Sequence, residues 1–414
     1  MMIQEDGRYG TQGIAVVDLI AKYGSPLYIY DGEKMIAQIQ SMRQAFAGVD
    51  LKIKYACKAL TNLSVLRLMK VNGVEVDVVS IEEAQIALRA GYEPAQIQYT
   101  PSGVSFAEIE EAVSLGLKMN LDSIPLLEWF GEKYGSSVPV SIRVNPLIMA
   151  GGNLKISTGH ADSKFGISIE QMEEVSTIAK KYGVPILGLH QHTGSDFKNA
   201  DVIIEAAEKL FSLAFTYFQD IQFIDLGSGF KVAYSANDHV TDMQALGEKV
   251  VVVFNEFVQK FGKPVQLWFE PGKYLVSEAG LLAVTVNVVK KNPNKTFVHV
   301  DSGLNHLIRP MMYDAHHDIV NVSNPTFEQG TGIYDVVGYI CETDTFGKDR
   351  ELPLVSQGDI LGLKNAGAYA FSMSSNYNSR IRPAEVLLLG GKDYLVRERE
   401  TLADILKNQL LIDL

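Results

Sequence analysis

The sequence is poor in cysteine and in basic residues, and each shortage excludes a class of protein. Its 414 residues include two cysteines, Cys57 and Cys341, which are too few for a disulfide framework or a multi-cysteine metal site. Lys and Arg together number 37 against 49 Asp and Glu, which gives a net charge of −12. That balance argues against a general binder of nucleic acid or of anionic membranes.

Long apolar runs are also missing. The best candidate, around 281–289, is half of the roughly 18 residues needed to span a bilayer. The N-terminal MMIQEDGRYG carries acids where a secretory signal has a basic and then an apolar segment. We therefore expect a cytoplasmic protein without a membrane or nucleic-acid partner. Hydrophobic residues make up 47% of the chain, enough to build the cores of two or three domains.

Eight short apolar runs alternate with segments of helical period in the first two thirds of the chain. The runs are 52–57, 74–80, 97–100, 118–122, 139–146, 186–194, 221–229 and 265–272. Segments 80–91 and 168–183 are typical of the intervening helices, and the second has a Ser/Glu capping pattern and a final Tyr-Gly. This order favours an α/β fold built on a (β/α)8 TIM-like barrel, with a doubly wound parallel sheet as the competing interpretation.

Beyond Gly272 the strands are linked by loops rather than by helices. Apolar runs between 281 and 396 predict a C-terminal, mainly antiparallel β domain, followed by a helix near 401–411. A further strand at 25–31 precedes the barrel, and we expect it to join this β domain. The predicted domains are therefore a barrel over 31–275 and a β domain of 1–30 plus 276–414.

Four polar features follow the ends of predicted strands. Lys58 follows the first run, His192 closes the sixth, the turn Gly227-Ser228-Gly229 closes the seventh, and Glu270 closes the eighth. Each has an ordinary explanation by itself: a solvated lysine, a core or surface histidine, a simple turn, a turn cap. Because catalytic residues of such barrels gather at the carboxyl ends of the strands, we expect all four to meet on one rim.

The chemistry that needs this set is catalysis with pyridoxal 5′-phosphate (PLP). A lysine amine holds the PLP aldehyde as a Schiff base until the substrate amine displaces it. A carboxylate keeps the pyridine nitrogen protonated, a flat side chain stacks on the ring, and N–H groups of a glycine turn bind the phosphate. A metal site fits less well. His190 and His192 would share a strand face, as metal ligands can, but no third ligand is obvious, and we predict no metal.

Longer motifs around these residues resemble the fold-type III PLP-dependent decarboxylases, which combine an alanine-racemase-like barrel with a β domain. The motifs are YACKAL around Lys58, GLHQHTGS (188–195), DLGSGF (225–230) and EPGKYLVSEAG (270–280). Four more are similar to those of the diaminopimelate decarboxylases, which convert meso-2,6-diaminopimelate to L-lysine and CO2 in the last step of lysine biosynthesis. They are ISTGHADSKFGI (156–167), SGLNHLIRPMMYDAHH (302–317), CETDTFGKDRELP (341–353) and GAYAFSMSSNYNSRIRPAEVLL (367–388). The resemblance runs from about residue 25 to about residue 405.

The resemblance implies a role for each matching position. Lys58, the Schiff-base lysine, and Cys341 would be the catalytic residues. His192 would stack on the PLP ring and Glu270 would face the pyridine nitrogen. The other cofactor-binding positions are Ser195, Gly227, Ser228, Gly229, Gly272, Lys273 and Tyr369. The substrate-binding positions are Lys273, Arg309, Tyr313, Glu342 and Tyr369. The resemblance also implies a homodimer in which Cys341 and Glu342 of one subunit complete the site of the other.

The substrate of that family suits these residues, with two departures from the family pattern. A dicarboxylic diamino acid needs a cation at its distal carboxylate, which Arg309 supplies, and Glu342 is suited to its distal ammonium. The family usually reads EPGR where this chain has Lys273, which keeps the charge but lacks the bidentate fork of arginine. Residues 99–103, YTPSG, stand where the family often carries a Gly-Asn pair.

Two other functions stay open from the sequence. One keeps the PLP chemistry but changes the substrate to another basic amino acid or a carboxylated polyamine, or changes the reaction to racemisation. The other is a non-catalytic PLP-binding or regulatory protein on the same barrel. The presence of both Lys58 and Cys341 argues against this last function.

Overall fold

The structure, a computed structural model, describes residues 1–148, 159–160, 162–195, 201–235 and 237–414. The chain forms two compact units. The β unit comprises Met1–Met35, Ala233–Asp238 and Val276–Leu414, and the barrel unit comprises Ile36–Val232 and His239–Leu275. The domain limits given above stay a prediction. Within the described segments, no helix combines the length and the apolar character needed to cross a membrane.

The chain begins in the β unit with a small antiparallel sheet and one helix. A longer strand, buried at every position, follows the helix. These elements are β1 (Met2–Ile3), β2 (Tyr9–Thr11), β3 (Ile14–Ala15), α1 (Val16–Tyr23) and β4 (Leu27–Asp31).

Eight parallel strands close into a barrel in the barrel unit. In chain order the strands are β5 (Leu51–Ala56), β6 (Glu75–Val78), β7 (Ile97–Tyr99), β8 (Lys118–Leu121), β9 (Val140–Asn145), the two-residue β10 (Ile167–Ser168) beside β9, β11 (Ile186–His190), β12 (Phe223–Asp225) and β13 (Gln266–Phe269). The ring closes because β8 pairs with β9 and β13 pairs with β5. The predicted barrel is therefore confirmed. The doubly wound alternative is wrong, because an open sheet would leave two edge strands.

Four helices of this part of the chain are capped by a side chain at their first turn. Side-chain oxygens of Asn62, Ser80, Ser105 and Asp242 accept hydrogen bonds from the first turns of their helices. The helices are α2 (Gly32–Ala45), α3 (Leu63–Val71), α4 (Ile81–Arg89), α5 (Phe106–Ser114), α6 (Ile124–Tyr134), α7 (Met172–Tyr182), α8 (Asp201–Tyr217), α9 (Met243–Phe261) and α10 (Lys273–Val276). The helix expected from 168 begins at Met172 instead, because Ser168 caps the short helical turn Ile169–Gln171 that precedes α7. Gly183 ends α7 in the left-handed conformation that the final Tyr-Gly predicted.

The later part of the β unit is the predicted, mainly antiparallel sheet. Its elements are β14 (Gly280–Lys291), β15 (Thr296–Val300), α11 (Arg309–Tyr313), β16 (Ile319–Asn321), β17 (Thr331–Val337), β18 (Thr345–Pro353), β19 (Ile360–Lys364), β20 (Ala384–Leu389), β21 (Lys392–Arg397) and α12 (Leu402–Leu406). The strand order is β18-β17-β15-β14-β4-β20-β21, and β19 pairs with both β14 and β16. The strand expected at 25–31 does join this sheet, since β4 lies between β14 and β20.

The core of the β unit contains apolar side chains from both ends of the chain. Val16 and Leu19 of α1 pack with Ile29 of β4 and with residues of β14 and β20. All of these side chains are buried, and their removal from water stabilises the unit. The N-terminal segment is therefore part of the core of this unit.

Candidate active site

The predicted residues of the barrel unit follow the ends of its strands. Lys58 lies in the helical turn Cys57–Ala59 directly after β5 and is exposed. Glu270 directly follows β13, and the glycine turn 227–229 follows β12. Three of the predicted strands end earlier than expected. The runs expected over 186–194, 221–229 and 265–272 end at His190, Asp225 and Phe269. His192 therefore lies in the loop after β11 and does not share a strand face with His190.

The glycine turn links the ends of β12 and β13. The Gly227 N–H donates to Asp225 Oδ1 at 2.8 Å, and its carbonyl accepts from the Glu270 N–H at 2.6 Å. Gly227 has a φ of 62°, and a Cβ there would lie 2.6 Å from the Gln191 carbonyl oxygen. Only glycine fits this close approach. The next N–H, of Ser228, donates to His192 Nδ1 at 3.3 Å.

Glu270 is buried and has one carboxylate oxygen without a partner. Its Oε2 lies 3.1 Å from His190 Nε2, whereas Oε1 has no hydrogen-bond partner within the described part of the chain. Burial alone would raise the pKa of Glu270. Its hydrogen bond with His190 and the charge of the nearby Lys58 ammonium outweigh this effect and hold the pKa of Glu270 below its usual value. The site therefore contains a carboxylate that is charged at neutral pH and has one oxygen available.

The Lys58 ammonium is an electrostatic neighbour of several buried groups at these strand ends. Burial, followed by Glu270, raises the pKa of Asp77, and Lys58 opposes that shift. Burial, followed by Lys58 and Arg143, lowers the pKa of His192 to about 3. The His192 imidazole is therefore neutral at physiological pH, which suits a ring that stacks on another ring rather than one that pairs with an anion.

His190, Asp225 and Glu270 form a buried cluster that the sequence analysis missed. Their candidate ligand atoms all lie within 4.8 Å of one another, so His190 is grouped with Asp225 and Glu270 rather than with His192. These residues follow or end three strands that are distant in sequence. The signal was an acid inside an apolar run, as in IQFIDLG. Because Asp225 Oδ1 accepts from Gly227 and Glu270 Oε2 pairs with His190, we interpret the cluster as support for the turn and for Glu270.

In the β unit, Arg309 is the buried cation among the predicted residues. It begins α11, and its Nη2 donates to the Tyr234 hydroxyl at 3.2 Å. Its guanidinium lies 5.4 Å from the centre of the Tyr234 ring and 5.9 Å from that of Tyr313. Arg309 Nε is buried and has no hydrogen-bond partner among the residues described. A buried donor without a partner is uncommon and is typical of a site that binds an anion.

Cys341 and Glu342 lie on the surface of the β unit and contact a polar segment of the same unit. The Tyr377 hydroxyl donates to Glu342 Oε1 at 2.7 Å, and Asn378 Nδ2 donates to Cys341 Sγ at 3.3 Å. Both predicted residues are exposed in the single chain. Neither side chain is therefore shielded from water by its own subunit.

Asp344 fixes the loop that carries Cys341. Its carboxylate accepts from the backbone N–H of Leu304 at 2.8 Å and from that of Ile340 at 3.1 Å. A Cβ at Gly303 or at Gly338 would lie 2.4 or 2.1 Å from Asp344 Oδ2. The two glycines therefore leave the space that this carboxylate occupies.

The remaining predicted positions are spread over both units. Gly272 accepts a hydrogen bond from the Leu275 N–H at 3.2 Å, and the buried Lys273 begins α10. Ser195 is half-buried, and Tyr369 of the β unit is half-buried with a φ of 55°. The motif at 156–167 lies partly outside the described residues. The structure thus brings together Lys58, His192, the glycine turn and Glu270 at one end of the barrel, and places Arg309, Tyr313, Cys341, Glu342 and Tyr369 in the β unit.

Comparison with known proteins identifies the family. The family model described as pyridoxal-dependent decarboxylase, pyridoxal binding domain, matches residues 33–277. The diaminopimelate decarboxylase of Methanothermobacter thermautotrophicus is 37% identical over 98% of this chain and 96% of its own length. The chain belongs to the diaminopimelate decarboxylase family.

Solved structures of this family have the same fold. Diaminopimelate decarboxylase from Helicobacter pylori, complexed with L-lysine, has a TM-score of 0.87 and 34% identity, over 94% of this chain and 98% of that one. The enzyme from M. jannaschii, in co-complex with L-lysine, has a TM-score of 0.90 and 30% identity, over 99% of this chain and 97% of that one. The predicted family, fold class and PLP cofactor are confirmed.

The residues of the barrel unit fit PLP chemically. PLP carries an aldehyde, a phosphate dianion and a basic ring nitrogen. The barrel offers an exposed amine on Lys58, a glycine turn with N–H groups, and the Oε1 of Glu270, which is unpaired in the part of the chain that the structure describes. The unpaired oxygen is the most specific of the three, because a buried acceptor without a partner is costly unless a ligand satisfies it.

Proposed function

We propose that this decarboxylase converts meso-2,6-diaminopimelate to L-lysine and CO2. The observation that carries the proposal is Glu270, a buried carboxylate that is held by His190 and whose Oε1 has no partner among the described residues. Glu270 follows β13 and Lys58 follows β5, so both lie at the carboxyl end of the barrel strands. The relatives that are named diaminopimelate decarboxylase span nearly the whole chain, and the H. pylori enzyme was solved with L-lysine. When bound, PLP supplies the electron sink for the pair of electrons that CO2 leaves behind.

In this proposal the barrel domain, 31–275, binds the coenzyme. Lys58 supplies the amine that takes the PLP aldehyde, and its exposure lets an incoming substrate amine replace it. The turn Gly227-Ser228-Gly229 binds the phosphate, through the Gly229 N–H and through the Ser228 N–H once it no longer donates to His192, while the Gly227 N–H holds the turn by its bond to Asp225. Ser195, Gly272 and Lys273 are further contacts. The neutral ring of His192 stacks on the pyridine, and Glu270 faces its nitrogen.

The β domain, 1–30 plus 276–414, recognises the distal end of the substrate. Arg309 binds the distal carboxylate. Its Nε, which is buried and unpaired within the described segments, supports this role because an oxyanion is the natural partner for such a donor. Glu342 binds the distal ammonium. Tyr313, Tyr369 and Lys273 are the other substrate contacts.

We further propose a homodimer in which each subunit completes the other's site. The exposure of Cys341 and Glu342 in the single chain supports this arrangement, since a proton donor for a carbanion works best away from water. Cys341 of the partner subunit would then give its thiol proton to the carbon that loses CO2. A two-fold axis repeats the contact and yields two equivalent sites. The two free cysteines suit the reducing cytoplasm, where we place the enzyme.

The decisive experiment is a substrate comparison with purified, PLP-loaded protein. We expect one CO2 and one L-lysine for each meso-diaminopimelate consumed, and a much lower kcat/KM for L-lysine, L-ornithine and a carboxylated polyamine. A higher kcat/KM for one of these would assign the chain to a related decarboxylase. Loss of the optical rotation of L-lysine or L-ornithine without release of CO2 would indicate a racemase. Bound PLP without turnover of any substrate would indicate a non-catalytic protein.

A further inference from the structure

Five buried polar side chains form one hydrogen-bonded line that ends on Glu270. Gln98 Nε2 lies 3.1 Å from Ser141 Oγ, which lies 3.0 Å from Asn120 Oδ1. Asn120 Nδ2 lies 2.9 Å from His190 Nδ1. His190 Nε2 lies 3.1 Å from Glu270 Oε2. The members come from four strands, β7, β9, β8 and β11, and from the residue after β13.

Each link of this line has a direction. Gln98 donates to Ser141, whose hydroxyl lies 3.0 Å from Asn120 Oδ1 and 3.2 Å from the Met119 carbonyl oxygen. The orientation of the Asn120 amide is supported by Thr100, because its hydroxyl donates to Asp77 and therefore accepts from Asn120 Nδ2 at 3.5 Å. The amide nitrogen of Asn120 is then the group that faces His190 Nδ1, and an amide nitrogen only donates. Nδ1 therefore accepts, and the proton of the neutral imidazole lies on Nε2, where it donates to Glu270.

The position of the line needs a functional explanation. Interiors of such barrels are usually filled by branched apolar side chains. Burying polar groups costs free energy that hydrogen bonds among them only offset. Gln98 Oε1 is itself buried without a partner among the described residues. Apolar side chains at these positions would stabilise the barrel more than this polar line does. A role in orienting the Glu270 carboxylate explains why polar residues are found here.

We propose that His190 is a positioning residue whose tautomer is set by Asn120 and which occupies Glu270 Oε2 so that Oε1 points at the ring nitrogen of PLP. This inference rests on the proposed function, which assigns Glu270 to that nitrogen. Neighbouring bonds in such a line polarise one another, so the donor at Nε2 is stronger than an isolated imidazole N–H.

The test compares the binding of two coenzymes to the full-length apoprotein. The probes are PLP and its 1-deaza analogue, in which a C–H replaces the ring nitrogen. Wild type should prefer PLP. His190→Phe keeps a planar ring without hydrogen bonds and should lose about tenfold of that preference, the size of one charge-assisted hydrogen bond. His190→Gln, which keeps an N–H near the position of Nε2, should retain most of it.

Failure of this inference is distinguishable from failure of the proposed function. His190→Phe that weakens both coenzymes equally would show a structural role and would overturn the inference. Glu270→Gln is the matched control and should itself abolish the preference for PLP. If Glu270→Gln keeps the preference, the assignment of Glu270 to the ring nitrogen is wrong.

A second measurement determines the tautomer directly in the wild-type protein. ¹⁵N NMR of wild-type protein labelled in its histidine rings should show His190 protonated on Nε2 and bare on Nδ1. The signal is assigned by its loss in His190→Gln. Asn120→Asp replaces the donor with an acceptor and should move a proton onto Nδ1. A wild-type ring that is already protonated on Nδ1 would contradict the proposed direction of the line.

Discussion

Replacing Arg309 with methionine should remove most of the preference for a dicarboxylic substrate. The Arg309 guanidinium is buried, one of its nitrogens donates to the Tyr234 hydroxyl at 3.2 Å, and its Nε has no partner in the described ranges. Methionine fills much of the same space but would leave the distal carboxylate of diaminopimelate against a thioether. A buried charge that loses its partner costs about 2–5 kcal/mol. This corresponds to a loss of roughly 30-fold to a few thousand-fold in kcat/KM.

The assay is the ratio of kcat/KM for meso-diaminopimelate and for L-lysine, which has no distal carboxylate. Arg309→Met should lower this ratio, whereas Arg309→Lys, which keeps a point charge without the planar fork, should lower it less. Tyr234→Phe is the matched control. It removes one neutral hydrogen-bond partner, which is worth about 0.5–1.5 kcal/mol, and should lower the ratio by about tenfold at most. If Arg309→Met leaves the ratio unchanged, another cation binds the carboxylate, and Lys273 would be the first to examine.

If the two subunits share their sites, inactive variants should complement one another. Lys58→Ala and Cys341→Ala homodimers should each be nearly inactive, but a reassociated mixture should regain up to about a quarter of wild-type activity. This is because half of the dimers are mixed and each mixed dimer has one intact site of two. A mixture that stays inactive although mass measurement shows subunit exchange would mean that both residues serve the site of one chain. Lys273→Met should raise KM strongly, since a buried anion would lose a partner worth about 2–5 kcal/mol. Lys273→Arg should preserve or lower KM. If KM is unchanged in Lys273→Met, Arg309 is the sole contact of the substrate carboxylate. Burial raises the pKa of Asp344 to about 6, although hydrogen bonds from two backbone N–H groups lower it. The folded state therefore binds the Asp344 proton more tightly than the unfolded state does. The stability that this proton contributes is present at low pH and is lost as the pH rises through about 6. The free energy of unfolding of wild type relative to Asp344→Asn should therefore fall by about 2 kcal/mol between about pH 4.5 and about pH 7.5, and a constant difference in urea unfolding would show that the carboxyl titrates normally.

The strands of the barrel were predictable because parallel strands are buried on both faces and therefore have continuous apolar sequences. The same apolar pattern does not define where a strand ends, and the strand predicted over 186–194 was therefore too long. Its apolar residues stop near Leu189, and the polar residues that follow do not mark where hydrogen-bonded pairing ends. The strand-end rule was enough to bring Lys58, the glycine turn and Glu270 to the same end of the barrel.

The hydrogen-bonded line to Glu270 was not predictable, because it depends on how strands are registered against one another. Asn120 and Ser141 are adjacent across β8 and β9, and His190 pairs with Arg143 across β11 and β9. These relations are set by barrel closure rather than by sequence spacing. The available signal was one polar residue inside an apolar strand, as in KMNLD and PVSIRVNP. That signal identifies a buried polar residue but does not show which side chain it forms a hydrogen bond with.

The position of β4 has a consequence for the order in which the chain can fold during synthesis. Leu27 pairs with Ala283 on one side and with Ala384 on the other. β4 therefore cannot form its sheet until β14 and β20, which lie in the C-terminal part of the chain, have been synthesised. All eight barrel strands leave the ribosome before β14 does. The barrel can therefore close while β4 is still an unpaired apolar strand, which is the kind of segment that aggregates. A nascent chain that stalls before β20 would present that edge, and we expect it to depend on chaperones more than the finished protein does.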